Sequence, residues 1–162
     1  MKKLWVILVV CLLFTGCGSA EIYETVEDDM MLAVSAVPRQ IQLSLPEEAI
    51  LPTMESEHGQ IYICRDYDVM IQTLPAGDLS RTIAEISGYS EEDLQVIKTT
   101  QDELERAEFV WSATGELGDT VGRAAVLNDG HYHYVLTATI AAEKCREYQE
   151  IWNGLFESFH LR

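Results

Sequence analysis

Basic residues are scarce in this chain. Its 162 residues include 11 Lys and Arg against 27 Asp and Glu, a formal charge of −16. Nucleic-acid binding depends on Lys and Arg that neutralise phosphates, and adhesion to anionic lipid depends on a basic patch. The balance argues against both. A long apolar run is also missing: residues 4–14 form a run of eleven, where a membrane-spanning helix needs roughly 20. No Gly-x-Ser-x-Gly turn presents a nucleophile, and Gly115-Glu116-Leu117-Gly118 lacks the lysine and the glycine spacing of a phosphate loop. Carboxylates are many, but Asp28-Asp29 and Glu91-Glu92-Asp93 lie in polar stretches. Nothing there buries one acid of a pair to separate the two pKa values. Repeats, coiled-coil heptads and low-complexity segments are absent as well. The expectation is a protein without catalytic activity and without a cofactor.

What is present starts with Met1-Lys2-Lys3, the apolar run, and Thr15-Gly16. These are the charged, apolar and small-residue regions of a secretory signal peptide. The stretch Leu13-Phe14-Thr15-Gly16-Cys17 resembles the lipobox of bacterial lipoproteins, with Phe14 where leucine is usual. The resemblance implies that Cys17 receives a diacylglyceryl group and that residues 1–16 are cut away. It further implies a mature protein anchored by acyl chains, palmitate among them, on the extracytoplasmic face of the cell membrane. The expected partners are then the membrane itself and an envelope protein or small ligand. Cleavage leaves 146 residues with a charge of −18, enough for one domain and a tether but short for two. Residues 17–37, small and acidic at their start, read as a lipidated tether, and residues 38–162 as a single domain. Of the four cysteines, Cys11 leaves with the signal and Cys17 takes the lipid. Cys64 and Cys145 are expected as free thiols, because two cysteines so far apart make no disulfide framework. Export nevertheless permits a bridge between them.

Residues 40–45 alternate polar and apolar and read as a strand with one buried face, closed by Pro46. Residues 49–59 read as a loop, and residues 60–64 and 68–74 as a tight hairpin. Asp78 caps a helix in which Leu79, Ile83 and Ile86 share a face, and Gly88 ends it. A short turn from Ser90 and a strand over residues 94–99 follow. Further strands are expected over residues 107–114, 121–127 and 131–140, with Asn128-Asp129-Gly130 as a hairpin turn. Residues 142–157 close the chain as a helix whose stripe is Cys145, Tyr148, Trp152, Leu155 and Phe156. Gly154 inside it calls for a close neighbour or an early end.

The class is α+β, a single mainly antiparallel sheet with amphipathic helices packed on it. This element order, together with Phe156-Glu157-Ser158-Phe159, is similar to the PsbP-like and DcrB-like α/β/α sandwich. That resemblance spans residues 41–159, implies an accessory or binding role, and carries over no catalytic residue.

One constellation bears on metals. His131 and His133 flank Tyr132, and residues i and i+2 of a strand share a face. Both imidazoles could reach one ion, although zinc wants three or four ligands. A metal-handling envelope protein is the alternative this pair supports. The alternation places Tyr132, Tyr134, Leu136, Ala138 and Ile140 inward and His131, His133, Thr137 and Thr139 on the wetter face. Replacing both histidines is therefore expected to leave folding nearly unchanged, and no metal site is expected.

Overall fold

The alternation beyond residue 104 produces three long strands. The computed structural model describes residues 36–115 and 118–162, so Cys17, the signal and the acidic stretch lie outside the described residues. In chain order the strands are β1 (Ile41–Gln42), β2 (Met54–Ser56), β3 (Gly59–Ile63), β4 (Tyr67–Pro75), β5 (Ile97–Gln101), β6 (Leu104–Gly115), β7 (Gly118–Asn128), β8 (Tyr132–Ala141) and β9 (His160–Leu161). The helices are α1 (Leu79–Ser87), between β4 and β5, and α2 (Gln149–Glu157), between β8 and β9. Seven strands form one sheet in the order β2-β3-β4-β8-β7-β6-β5, every pair antiparallel, and β1 with β9 makes a separate ribbon.

Two cores form, one on each face of the sheet. Tyr134, Leu136, Ala138 and Ile140 of β8 join Ala125, Leu127 and Val69 beneath Trp152, Leu155 and Phe156 of α2. On the opposite face Val135, Val126, Ala124 and Phe109 meet Ile83 of α1. The sheet is thus sandwiched at its centre, and β8 is buried on both sides.

Helix α1 has the ends its sequence predicts. The Asp78 carboxylate accepts from the Ser80 amide at 3.1 Å, and Gly88, at φ 78°, donates its own amide to the Ala84 carbonyl. Such an N-cap contributes about 1 kcal/mol. A second glycine serves packing: Gly122 pairs with Trp111, and a methyl there would lie 2.2 Å from the indole.

Four expectations are corrected. Residues 40–45 form a strand only at Ile41–Gln42, because β9 offers two residues to pair with and the Ser44 amide turns to the Ser158 hydroxyl instead. The loop at residues 49–59 holds β2, an edge strand on β3. The closing helix does not run from residue 142: a 3-10 turn at Ala142–Lys144 precedes it, and α-helix begins at Gln149. The break turns Tyr148 toward the sheet, where its hydroxyl reaches Asp66. Lastly, His133 and Thr137 are buried, because α1 covers the face on which they stand. Cys64 and Cys145 are both free and half-buried.

Candidate binding groove

The stretch after β1 supplies one wall of the groove. Pro46 ends the extended run, and a turn closed by the Ala49 amide on the Pro46 carbonyl at 2.9 Å buries Ala49 and lifts Glu47 and Glu48 to its tip. Helix α2 supplies the other wall. Glu150, Ile151, Gly154 and Leu155 recur at three- and four-residue spacing and so share one stripe. The walls are joined at one end, where the Ser44 amide donates to Ser158 Oγ at 3.0 Å and that hydroxyl donates to the Leu155 carbonyl at 3.0 Å. Tyr67 of β4 reaches the floor. The enclosed volume is about 500 Å³, inside the roughly 300–1,000 Å³ range of small-molecule sites.

Gly154 neither touches a close neighbour nor ends the helix early. A methyl built on it meets nothing within 4 Å, and α2 continues to Glu157. The missing side chain leaves the groove open. Gly154→Ala should therefore stabilise the fold by about 1 kcal/mol, the ordinary difference between the two residues in a helix interior. Urea denaturation reads this as a raised midpoint at unchanged slope, and a lowered midpoint would refute the open geometry.

The groove is acidic and its polar groups are held protonated or unpaired. Glu47, Glu48 and Glu150 line it with no Lys or Arg beside them, and among the described residues none of the three enters an ion pair. Tyr67 is 3% exposed, and its hydroxyl makes no hydrogen bond of ordinary geometry. Its ring lies 5.2 Å from that of Tyr148 at 54°. Burial pushes the Tyr67 phenol well above its usual value, and the neighbouring Cys64, Glu48 and Tyr148 add to this. The Tyr148 hydroxyl donates to Asp66 at 2.6 Å, and that bond, then burial, pushes it up to about 12. Burial likewise raises the Cys64 thiol, although contact with Tyr67 opposes it. A protonated thiol is a poor nucleophile, and these phenols do not exchange protons near neutral pH. The exposed Glu48 carboxylate adds a small upward push on Tyr67, Tyr148 and Cys64 alike.

A second concavity of about 470 Å³ lies on the α1 face above β5, β6 and β7. Its charged groups are already engaged. Lys98 pairs with Glu91 at 2.7 Å, and Glu105 accepts from Asn128 at 3.2 Å.

The histidine pair is separated by the fold. His133 is fully buried beneath α1, its Nδ1 2.9 Å from the Thr82 hydroxyl and its Nε2 without a partner. His131 is exposed past the β7–β8 turn, where its amide donates to Asp129. His160 uses both ring nitrogens, toward the Ser158 carbonyl and Gln42. Among the described residues no three His, Cys, Asp or Glu side chains gather closely enough to hold a metal ion. No helix among them is long and apolar enough to cross a membrane. The groove itself was missed in the sequence, and Gly154 in an amphipathic stripe was its one visible signal.

Comparison with known structures bears on the fold. Mog1p of Saccharomyces cerevisiae, a Ran-binding protein, matches with a TM-score of 0.51 and 12% identity over 75% of this chain and 89% of its own. The cyanobacterial PsbP of Synechocystis matches at 0.50 with 8% identity, covering 78% of this chain and 95% of its own. The fold is PsbP-like. A Bacteroides thetaiotaomicron protein matches at 0.51 with 11% identity over 75% of this chain, which spans 45% of that longer one. No family model and no curated protein sequence matches the chain. At such identities the PsbP-like sandwich fixes the scaffold, and function is argued from the site it carries.

Proposed function

We propose that this chain is a non-enzymatic, lipid-anchored binding protein of the bacterial cell envelope, with Cys17 in the extracytoplasmic face of the membrane and the groove along α2 as its ligand site. The observation that carries the binding reading is the groove itself. It has an open turn of helix at Gly154, an aromatic floor at Tyr67, and three carboxylates unpaired among the described residues. The protonated phenols and thiol around it suit recognition better than proton transfer or nucleophilic attack. The anchoring reading is supported by Leu13-Phe14-Thr15-Gly16-Cys17. A charge of −18 on the mature chain is repelled by anionic lipid, so residence at the membrane falls to acyl chains. Each buried methylene contributes about 0.8 kcal/mol, and two chains hold stably where one holds marginally. A diacylglyceryl cysteine satisfies this at one residue.

Fractionation with intact-mass measurement tests the anchor. Wild-type protein should stay with membranes, begin at Cys17 and carry the mass of the lipid. Cys17→Ser should lack that mass and either remain uncut or be shed. Wild-type protein recovered in the medium with an unmodified Cys17 thiol would defeat the anchoring reading and leave the groove untouched.

A further inference from the structure

Resting on the binding reading above, we infer that the groove along α2 takes a small amphipathic organic cation, an ammonium group on a short apolar stem. Charge settles the sign. Glu47 and Glu48 on the turn and Glu150 on α2 line the opening, with no Lys or Arg in the lining. A cation seated among the three carboxylates is attracted by each of them. The same charge disqualifies other occupants. Residues 18–35 of this chain carry Glu21, Glu24, Glu27, Asp28 and Asp29 and no Lys or Arg, and an anionic headgroup meets the same repulsion.

The shape settles the rest of the ligand. Between the carboxylates lie Ile151, Leu155 and Pro46, with the bare backbone at Gly154, and these accept an apolar stem. Tyr67, almost wholly buried, is also part of the lining. Its hydroxyl is buried and makes no hydrogen bond of ordinary geometry, although it contacts the Cys64 thiol. A quaternary ammonium, weakly hydrated and without donors, suits an apolar lining edged by carboxylates.

The test uses the full-length protein in micelles of the uncharged detergent dodecyl maltoside, titrated calorimetrically with butyltrimethylammonium and corrected with empty micelles. Saturable one-to-one binding is expected, at least tenfold tighter than that of tetramethylammonium, which lacks the stem, or of 1-butanol, which lacks the charge. Glu48→Gln combined with Glu150→Gln keeps the shape and should weaken binding at least fivefold. Gly154→Leu places a helix-compatible side chain in the opening and should abolish binding with the circular dichroism spectrum unchanged. Should that variant lose its fold, the double Gln variant decides alone. Absence of saturable heat, equal affinity for butanol, or undiminished binding in the variants would overturn the inference. Such failure leaves the membrane-fractionation result standing, so the two readings fall separately.

Discussion

Arg106→Ala should cost about 3–5 kcal/mol, the range for removing one partner of a buried ion pair. Arg106 is 7% exposed and every edge of its guanidinium is used. Its Nε donates to Glu108 at 2.7 Å, Nη1 to Gln101 at 2.5 Å and to the Phe159 carbonyl at 3.3 Å, and Nη2 to the Phe156 carbonyl at 2.9 Å. The last two are carbonyls at and just past the C-terminal end of α2, where the helix leaves acceptors unpaired and favours a positive charge. Alanine would leave the Phe156 carbonyl without this donor, while the Phe159 carbonyl would keep Gln101 Nε2 at 3.1 Å. Glu108 would keep Arg123 at 2.9 Å but lose its second cation. Burial by itself would raise the Glu108 carboxyl, yet hydrogen bonds from Arg123 and Arg106 outweigh it and hold the group below its usual value. A carboxyl depressed in the folded state contributes stability above about pH 4.3, its unfolded value. That contribution is lost as pH falls through the folded value. The variant should accordingly show a shallower loss between those limits. Urea denaturation at neutral and acid pH measures both effects, and a neutral-pH change under about 1 kcal/mol would contradict this reading of the network.

His133→Ala is the second large effect, about 2 kcal/mol, while His131→Ala should change stability by less than about 0.5 kcal/mol. Truncating a fully buried ring leaves a cavity beneath α1 and leaves the Thr82 hydroxyl only its longer bond to the Asp78 carbonyl at 3.4 Å. Removing the orphan Nε2 offsets part of this. The pH dependence separates the ring's chemistry from its volume. Burial holds the His133 imidazole below its usual value, against the opposing pull of Asp129 and Glu105. The unfolded ring titrates near pH 6.5, so below that pH the unfolded chain binds a proton the folded one refuses. Stability is then full above about pH 6.5 and falls as pH drops toward the folded value, with a limiting slope of about 1.4 kcal/mol per unit. Glu108 and Asp129 act lower, since both are depressed carboxyls. Chemical denaturation of wild type and His133→Ala between pH 7.5 and 5.5 should show the slope only in wild type. Equal slopes would mean the buried ring does not resist protonation.

These two residues also show what the sequence carries and what it hides. The period-two pattern of β6 to β8, the Asp78 and Gly88 helix ends and the turn at Asn128-Asp129-Gly130 are local, and they stand in the structure where local chemistry puts them. His133 was legible as a position on a face but not as buried, because its polarity suggests water and α1 lies some fifty residues earlier in the chain. Arg106 sits in a strand like any alternating polar residue, and nothing nearby announces carbonyls fifty residues on. The groove is hidden for the same reason, since its walls are drawn from both ends of the domain. The short C-terminal motif did carry physical content. Phe156 and Phe159 are fully buried, Arg123 lies 4.2 Å over the Phe156 ring and Arg106 5.8 Å from Phe159, and Ser158 ties the groove's walls together.

The β1–β9 ribbon has a consequence for the order in which the molecule is made. The β2–β3–β4 and β5–β6–β7–β8 segments are meanders of near neighbours, which close quickly, whereas joining β4 to β8 awaits a longer loop. β1 must wait longer still. Its partner is His160–Leu161, and the Arg162 amide bonds the Gln40 carbonyl at 2.9 Å. Until those residues have emerged and folded back, the stretch that carries Pro46, Glu47 and Glu48 lacks its β1 and Ser158 ties. The groove is therefore the last part of the domain to exist. A chain halted a few residues short would fold its sheet and leave the groove without a wall.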